Sequence, residues 1–242
     1  MIVCIDGGNT RLKWGLRNGD RWSRKGGLAN RDLAGLAAAI ADAAGATPIG
    51  RLLACNVAGA PTAAAVDALA ARLGAATEWV TAEAERCGVR NSYDQPAQLG
   101  ADRWTALIGA RALHRGPCLV VCAGTATTVD VLRADGVFAG GLIVPGLDLM
   151  RRSLAQGTAG LPLAVGRMAP LPRNTDDAIA SGCLQATLGA VERMFRPMAD
   201  DSGAACLLSG GAAAALAPHL VLPCRLVEDL VLEGLARIGR PA

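Results

Sequence analysis

The chain has 242 residues and a formal net charge of +3, and no unbroken apolar run approaches the ~18 residues that a membrane span needs. Its basic residues, all arginine apart from Lys13 and Lys25, are scattered and not interleaved with aromatics, which argues against a nucleic-acid groove. With 52% apolar residues but only four Trp, two Phe and one Tyr, the core must be built from Leu, Val and Ala, in one large domain or two of ordinary size.

Residues 2–5 are a short apolar run that passes into Asp6-Gly7-Gly8-Asn9-Thr10 and returns through Lys13-Trp14-Gly15-Leu16. The order reads as strand, tight polar turn, strand. Such a turn can hold a phosphate and its metal, and it is equally what ordinary turn-forming residues produce. A third strand is expected near residues 21–25, then a helix capped by Asp32 that runs to Ala44 and stops at Gly45 and Pro48. Residues 52–55 read as a strand, 62–73 as an alanine-rich helix ended by Gly74, 78–80 as a short strand and 91–96 as a loop. Beyond Gly100, the spacing of Trp104, Leu107, Ile108 and Arg111 is helical. Asp102 then sits at or just inside a helix start, where free amides favour a carboxylate, so capping and chemistry are both open to it.

The opening pattern returns at mid-chain. Residues 119–122 lead into Ala123-Gly124-Thr125-Ala126-Thr127-Thr128, and residues 129–132 leave as a second strand, with Gly124 standing where Gly8 stood. Two such units are what a duplicated α/β domain with a ligand between its halves would leave in sequence; two unrelated hairpins are the other reading. A strand over 137–144 and a helix from Leu147 through Leu154 follow. Residues 157–173, rich in proline, read as a loop or lid-like excursion, and Asn174 or Thr175 caps a long helix through Phe195. Residues 205–208 form a strand ending at Ser209-Gly210-Gly211, residues 220–222 a last short strand, and 228–238 a closing helix. Mixed sheets with helices on their faces are therefore expected.

A dinucleotide-binding G-x-G-x-x-G does not follow the first strand, and a Walker A motif is absent. The eight cysteines lie mostly in apolar surroundings and read as small core residues of a protein from a reducing cytoplasm; Cys118-x3-Cys122 lacks the partners of a zinc site. No basic stretch, apolar run and cleavage site marks the amino terminus for export.

Taken together, Asp6-Gly7-Gly8-Asn9-Thr10, Leu99-Gly100-Ala101-Asp102-Arg103, Gly124-Thr125-Ala126-Thr127-Thr128-Val129-Asp130, Gly140-Gly141-Leu142-Ile143-Val144-Pro145-Gly146 and Ser209-Gly210-Gly211 resemble, in family order, the motifs of type III pantothenate kinases. Each motif is weak singly; the conjunction is specific. The resemblance implies a duplicated ribonuclease-H-like two-lobed ATPase/kinase fold with mixed sheets, of the acetate and sugar kinase, Hsp70 and actin superfamily. Its lobes are expected at 1–115 and 116–242. It also implies a cytoplasmic homodimer, with no membrane or nucleic-acid partner, that phosphorylates pantothenate with ATP in the first step toward coenzyme A.

The resemblance extends to single residues. Asp6 looks like the acidic residue that supports the Mg-phosphate assembly; Gly7, Gly8, Asn9 and Thr10 match the first phosphate turn, Gly124 and Thr125 the second, and Gly210 and Gly211 the adenosine-side turn. Asp102 looks like the general base. Gly100, Ala101 and Arg103 sit beside it at the substrate, with Tyr93, flanked by Asn91 and Pro96, on the pantothenate wall. Thr175 looks like a residue that closes the substrate site, helix capping being its other reading. Asp130 matches a residue associated with K+ or NH4+. Lys13 carries no duty in this reading and is expected to face solvent or act weakly at long range. One departure is Cys122, where many relatives have an aspartate. A kinase for another small hydroxyl-bearing acid, and a non-catalytic ATP-binding regulator on the same fold, remain the alternatives.

Overall fold

A computed structural model describes residues 1–240. The chain divides into two compact units, one formed by Met1–Leu113 together with the segment from Asp229 onward, the other by His114–Glu228.

In the first unit, β1 (Ile2–Gly7), β2 (Arg11–Asn18) and β3 (Arg21–Ala29) form an antiparallel meander. A 3₁₀ segment, Asn30–Gly35, leads to α1 (Leu36–Ala44); β4 (Arg51–Asn56), α2 (Ala60–Arg72) and β5 (Thr77–Trp79) follow. The strands lie in the order β3-β2-β1-β4-β5, with β4 parallel to β1 and β5 parallel to β4. Alternation along β1 and β2 puts Val3, Ile5, Leu12, Trp14 and Leu16 into one core with Leu36, Ile40 and Val66 from the helices. A small hairpin, β6 (Glu85–Arg86) and β7 (Val89–Asn91), precedes α3 (Ala101–Leu113).

The second unit repeats this plan. β8 (Cys118–Ala123), β9 (Ala126–Leu132) and β10 (Val137–Pro145) form an antiparallel meander, followed by α4 (Leu147–Gly157), α5 (Thr175–Phe195), β11 (Ala205–Ser209), the single-turn α6 (Ala213–Leu216) and β12 (Cys224–Leu226). β11 runs parallel to β8 and β12 parallel to β11, so the order β10-β9-β8-β11-β12 reproduces that of the first unit. Its core joins Leu119, Val121, Cys206 and Leu208 of the strands to Leu184, Leu188, Val191 and Phe195 of α5. The sequence repeat is thus a duplication of topology, not a pair of unrelated hairpins.

Four expectations change. The helix expected to start at Asp32 begins at Leu36. Asn30 Nδ2 donates to the carbonyls of Gly8 (3.0 Å) and Asn9 (2.9 Å), and the 3₁₀ segment follows from that anchor, with Asp32 itself exposed and non-helical. The last strand is β12, not 220–222: Val221 is almost fully exposed, and pairing starts only after Pro223, whose carbonyl accepts from Cys206 N at 2.7 Å. The β6–β7 hairpin was not anticipated; its turn places Cys87 and Gly88 both at positive φ, the arrangement of a two-residue hairpin loop. Finally, the closing helix α7 (Leu230–Ile238) belongs with the first unit, not with the second half of the chain as the expected boundary placed it. It packs on α3 because two glycines face the contact: a Cβ on Gly109 would strike the Leu230 carbonyl, and one on Gly234 the Thr105 carbonyl. Of the two caps considered for α5, Asn174 is the one used, its side chain accepting from Asp177 N at 2.8 Å.

Candidate active site

In the first unit the register of the sheet gathers the charged groups. Asp6, at the end of β1, stands opposite Lys13 on β2 and Cys55 on β4, so the three side chains share a face of the sheet. The Cys55 thiol points at Asp6 Oδ1 at 3.9 Å. Burial pushes the Asp6 carboxyl up to about 7; Lys13 pulls it down, while the charges of Asp102 and Asp229 push it further up. The same surroundings hold the Cys55 thiol well above its ordinary range, burial first and the Asp6 and Asp102 charges after it.

The turn after Asp6 needs its glycines. A Cβ on Gly7 would come within 2.9 Å of Asn56 Oδ1, and one on Gly8 within 3.0 Å of the Arg11 carbonyl. Asn9 and Thr10 are exposed at its tip, and Asn30 holds the turn from behind through the two carbonyls already named. Asn30 gave no signal in sequence beyond being an asparagine after a strand.

Lys13 is not a solvent-facing bystander. Its Nζ lies 2.8 Å from Asp229 Oδ1, the pair being 35% and 10% exposed, and Lys25 Nζ approaches the other oxygen at 3.5 Å. Asp229 immediately precedes α7, so the return of the closing helix to this unit is what brings it here. Sequence reading had no means of finding it from a separation of 216 positions.

Asp102 lies in the first turn of α3, where its Oδ1 accepts from Arg103 N at 2.8 Å. Gly100 opens the space beside it, since a Cβ there would crowd Asp102 Oδ1 to 2.7 Å. Ala101 starts the helix, and its carbonyl accepts from Thr105 Oγ1. Arg103 is only 5% exposed; its Nη1 donates to Tyr93 Oη at 3.0 Å, and the guanidinium also lies over the Tyr93 ring at 5.8 Å. The loop that carries Tyr93 is folded around Asn91. Its Nδ2 donates to the carbonyls of Glu83 and Pro96, and its Oδ1 accepts from Tyr93 N. The structure therefore brings Tyr93, Asn91, Pro96 and Arg103 together, and joins Asp102 electrostatically to Asp6.

In the second unit three glycine motifs converge. Gly124 and Thr125 form the exposed turn between β8 and β9, with Gly124 N donating to the Ala126 carbonyl at 3.0 Å. Gly146 N donates to the Thr125 carbonyl at 3.0 Å, and a Cβ on Gly146 would run into the Gly124 carbonyl. Gly210, at φ +103, lies with its α-carbon against the Ala123 backbone, where any Cβ would collide, while Gly211 stays exposed. The role of Gly146 as a backbone seat for the second turn was not read from sequence. Ser209 Oγ donates to the Glu228 carbonyl at 3.2 Å, tying the end of β11 to the end of β12.

Asp130 is 1% exposed on β9, opposite Val120 of β8 and Gly141 of β10. Two positions before it, Thr128 Oγ1 is buried without a hydrogen-bond partner, as is Thr127 Oγ1. Cys122 is Thr128's partner in the β8–β9 register, a half-buried strand residue. Thr175, the first residue of α5, is exposed on the rim of an apolar groove of about 760 Å³ lined by Met150, Leu154, Leu161 and Ile179.

Among the described residues no group of three His, Cys, Asp or Glu side chains could by itself hold a metal ion. A divalent ion of the magnesium kind is typically held by one or two carboxylates, with the remaining positions taken by water and substrate phosphates. The Asp6 oxygen donor is suitable, because burial, and after it the charges of Asp102 and Asp229, raise its pKa, and a nearby cation would favour the charged carboxylate.

Comparison with known proteins bears on what this arrangement serves. The profile of the family described as Type III pantothenate kinase matches residues 2–197. A Type III pantothenate kinase from Aromatoleum aromaticum is 58% identical over 240 residues, spanning 99% of this chain and 98% of the relative. One from Azoarcus sp. is 52% identical, spanning 99% and 90%. Among solved structures, a protein from Sinorhizobium meliloti described as a 2-dehydro-3-deoxygalactonokinase is 16% identical, with TM-score 0.64 over 99% of this chain and 98% of that one; this likeness shows a shared fold and nothing more.

Proposed function

Because the chain belongs to the type III pantothenate kinase family, we propose that Asp102 is the base that accepts the proton of the pantothenate hydroxyl as ATP's γ-phosphoryl group is transferred to it. The activity is phosphorylation of pantothenate to 4'-phosphopantothenate, which begins coenzyme A synthesis. The observation that carries the assignment of roles is the grouping of Asp6, Lys13, Asp102 and Asp229 at the end of β1, beside a turn where a Cβ on either glycine would be crowded.

In this reading Gly7, Gly8, Asn9 and Thr10 offer backbone amides and hydroxyl to the phosphates, as do Gly124 and Thr125, while Gly210 and Gly211 let the backbone approach the adenosine. Asp6 holds the divalent cation; when bound, that ion neutralises charge on the transferring phosphoryl oxygens. Asp102 acts on a poorly acidic alcohol, so its contribution is alignment and removal of the proton late in transfer. Arg103, buried and oriented by Tyr93, presents its guanidinium to the pantothenate carboxylate or to the moving phosphoryl group. Asp130 contributes a carboxylate to a K+ or NH4+ site.

The same reading makes the enzyme a cytoplasmic homodimer. Eight cysteines, mostly in apolar surroundings, suit a reducing compartment, and the apolar groove beside Thr175 supplies a surface that a second copy would cover. Light scattering on the purified protein reads the mass directly. The activity is tested with ATP, Mg2+ and pantothenate, with and without K+. Formation of 4'-phosphopantothenate is expected, and absence of product under every cation condition would refute it. In a panel of small hydroxy acids, pantothenate is expected to have the highest kcat/KM.

A further inference from the structure

We propose that Cys206 and Cys224 form a thiol–disulfide exchange site that takes a low-molecular-weight disulfide, with Cys224 as the entering thiol and Cys206 as the resolving one. This site stands apart from the phosphoryl-transfer reading and does not depend on it.

Register is the first ground. β11 and β12 are parallel, and Cys206 and Cys224 are direct partners in their ladder. Facing positions on neighbouring strands lie roughly 4.8 Å apart and point to the same side, within the span of roughly 4.4–6.8 Å between α-carbons that a disulfide bridges. Both side chains indeed meet the same apolar cluster, alongside Leu208 and Leu222. None of the other cysteines on the ladders has a cysteine for a register partner. Cys4 faces Gly15 and Leu53, Cys55 faces Asp6, Cys118 faces Ala205 and Leu132, and Cys122 faces Thr128 and Ser209.

Access differs between the two thiols. Cys206 is wholly buried on β11, the strand next to the edge strand β12. Cys224 is half-buried at the very start of β12, directly after the exposed stretch that contains Val221. A reagent from solvent reaches Cys224 and finds Cys206 immediately behind it.

The proton is distributed to match. Hydrogen bonding with the Cys206 thiol lowers the Cys224 pKa to about 7, against the opposing effect of burial. The same bond, with burial and the neighbouring Cys118, holds Cys206 far above the ordinary thiol range. Thiolate attack is fastest when the attacking pKa lies near the ambient pH, so at neutral pH Cys224 is close to the optimum for exchange.

The chemistry balances without another co-reactant. The Cys224 thiolate attacks one sulfur of the small disulfide; a mixed disulfide forms and one thiolate leaves. The Cys206 sulfur then attacks the Cys224 sulfur, and the second thiolate departs with the proton that Cys206 releases. The protein is oxidised by two electrons and the reagent is reduced to two thiols.

The test exposes the full chain to oxidised glutathione and maps the products by intact mass and peptide mass spectrometry. Wild type is expected to yield a Cys206–Cys224 cross-link with no glutathione retained on either residue. Cys206→Ser is expected to retain glutathione on Cys224, and Cys224→Ser to give neither cross-link nor adduct at Cys206. Retention of glutathione on Cys224 in the wild type, or no reaction there while the half-buried Cys87 and Cys122 react, overturns the proposal. A measurement on wild type alone keeps the proposal testable if a variant folds poorly. The alkylation rate of Cys224 by iodoacetamide is expected to be half-maximal near pH 7, against about 8.5 for an ordinary thiol. A midpoint at the ordinary value also overturns the proposal.

Discussion

Gly234→Ala tests whether the closing helix seats the candidate base. In an isolated helix this change would stabilise by about 0.8–1 kcal/mol. Here the added Cβ would overlap the Thr105 carbonyl oxygen and lie 2.7 Å from its carbon and 2.8 Å from Thr105 Cγ2. The obstruction is mainly backbone, so no rotamer change removes it, and α3 and α7 must separate by on the order of 1 Å. Overpacking of this kind costs about 1–3 kcal/mol, and a backbone obstruction belongs at the upper end, well beyond the gain in propensity. For a chain of this size about 3 kcal/mol corresponds to a fall in Tm of roughly 6–12 °C. Because α3 carries Asp102 in its first turn, a displacement on that scale should also cost up to about 10²-fold in kcat. Calorimetry and steady-state kinetics on the same preparation read both quantities. A variant with wild-type Tm and wild-type kcat would refute the argument that the α3–α7 contact positions the base.

Asp102→Asn is expected to lower turnover about 10²–10⁴-fold while changing ATP affinity much less, checked by kinetics and calorimetric titration; unchanged turnover excludes the base role. Asp229→Asn should free Lys13 and raise KM for ATP by about 5-fold or less, the range of a partly exposed pair. The increase should vanish in a Lys13→Met background, whereas equal effects in both backgrounds would show that Asp229 acts without Lys13. Asp6→Asn tests the raised carboxyl. With a folded pKa of about 7 against an ordinary 3.8, the contribution of this group to stability is complete below 3.8 and is lost as pH rises to 7. In chelator-containing buffer the Tm of Asp6→Asn relative to wild type should therefore be higher at pH 8 than at pH 5. A difference that does not change between those pH values would remove the buried-carboxylate account.

The legible part of this protein was local. The apolar runs that end at the Gly7-Gly8 and Gly124 turns appear as strands entering hairpins, and the strand order around the first is reproduced around the second. A cap at Asn174 or Thr175 for α5 and the end at Gly74 of the segment after α2 were readable because a cap lies within a few residues of what it caps; the structure then selected Asn174. Tyr93 and Arg103 were named as neighbours in function from family motifs, and the hydrogen bond between them adds a physical link that ten positions of separation do not disclose.

What the amino-acid order determined alone was where strands turn and which residue types stand at the turns, because backbone preference and alternation act over a handful of positions. Tertiary structure alone decided that α7 leaves the half of the chain in which it is encoded and packs on α3, that Asp229 thereby reaches Lys13, and that Gly146 and Gly210 press on the turn at Gly124. These contacts join residues far apart in the chain. They exist because glycines let backbones approach closely and because parallel pairing brings distant strands side by side, and neither condition leaves a periodic trace in sequence.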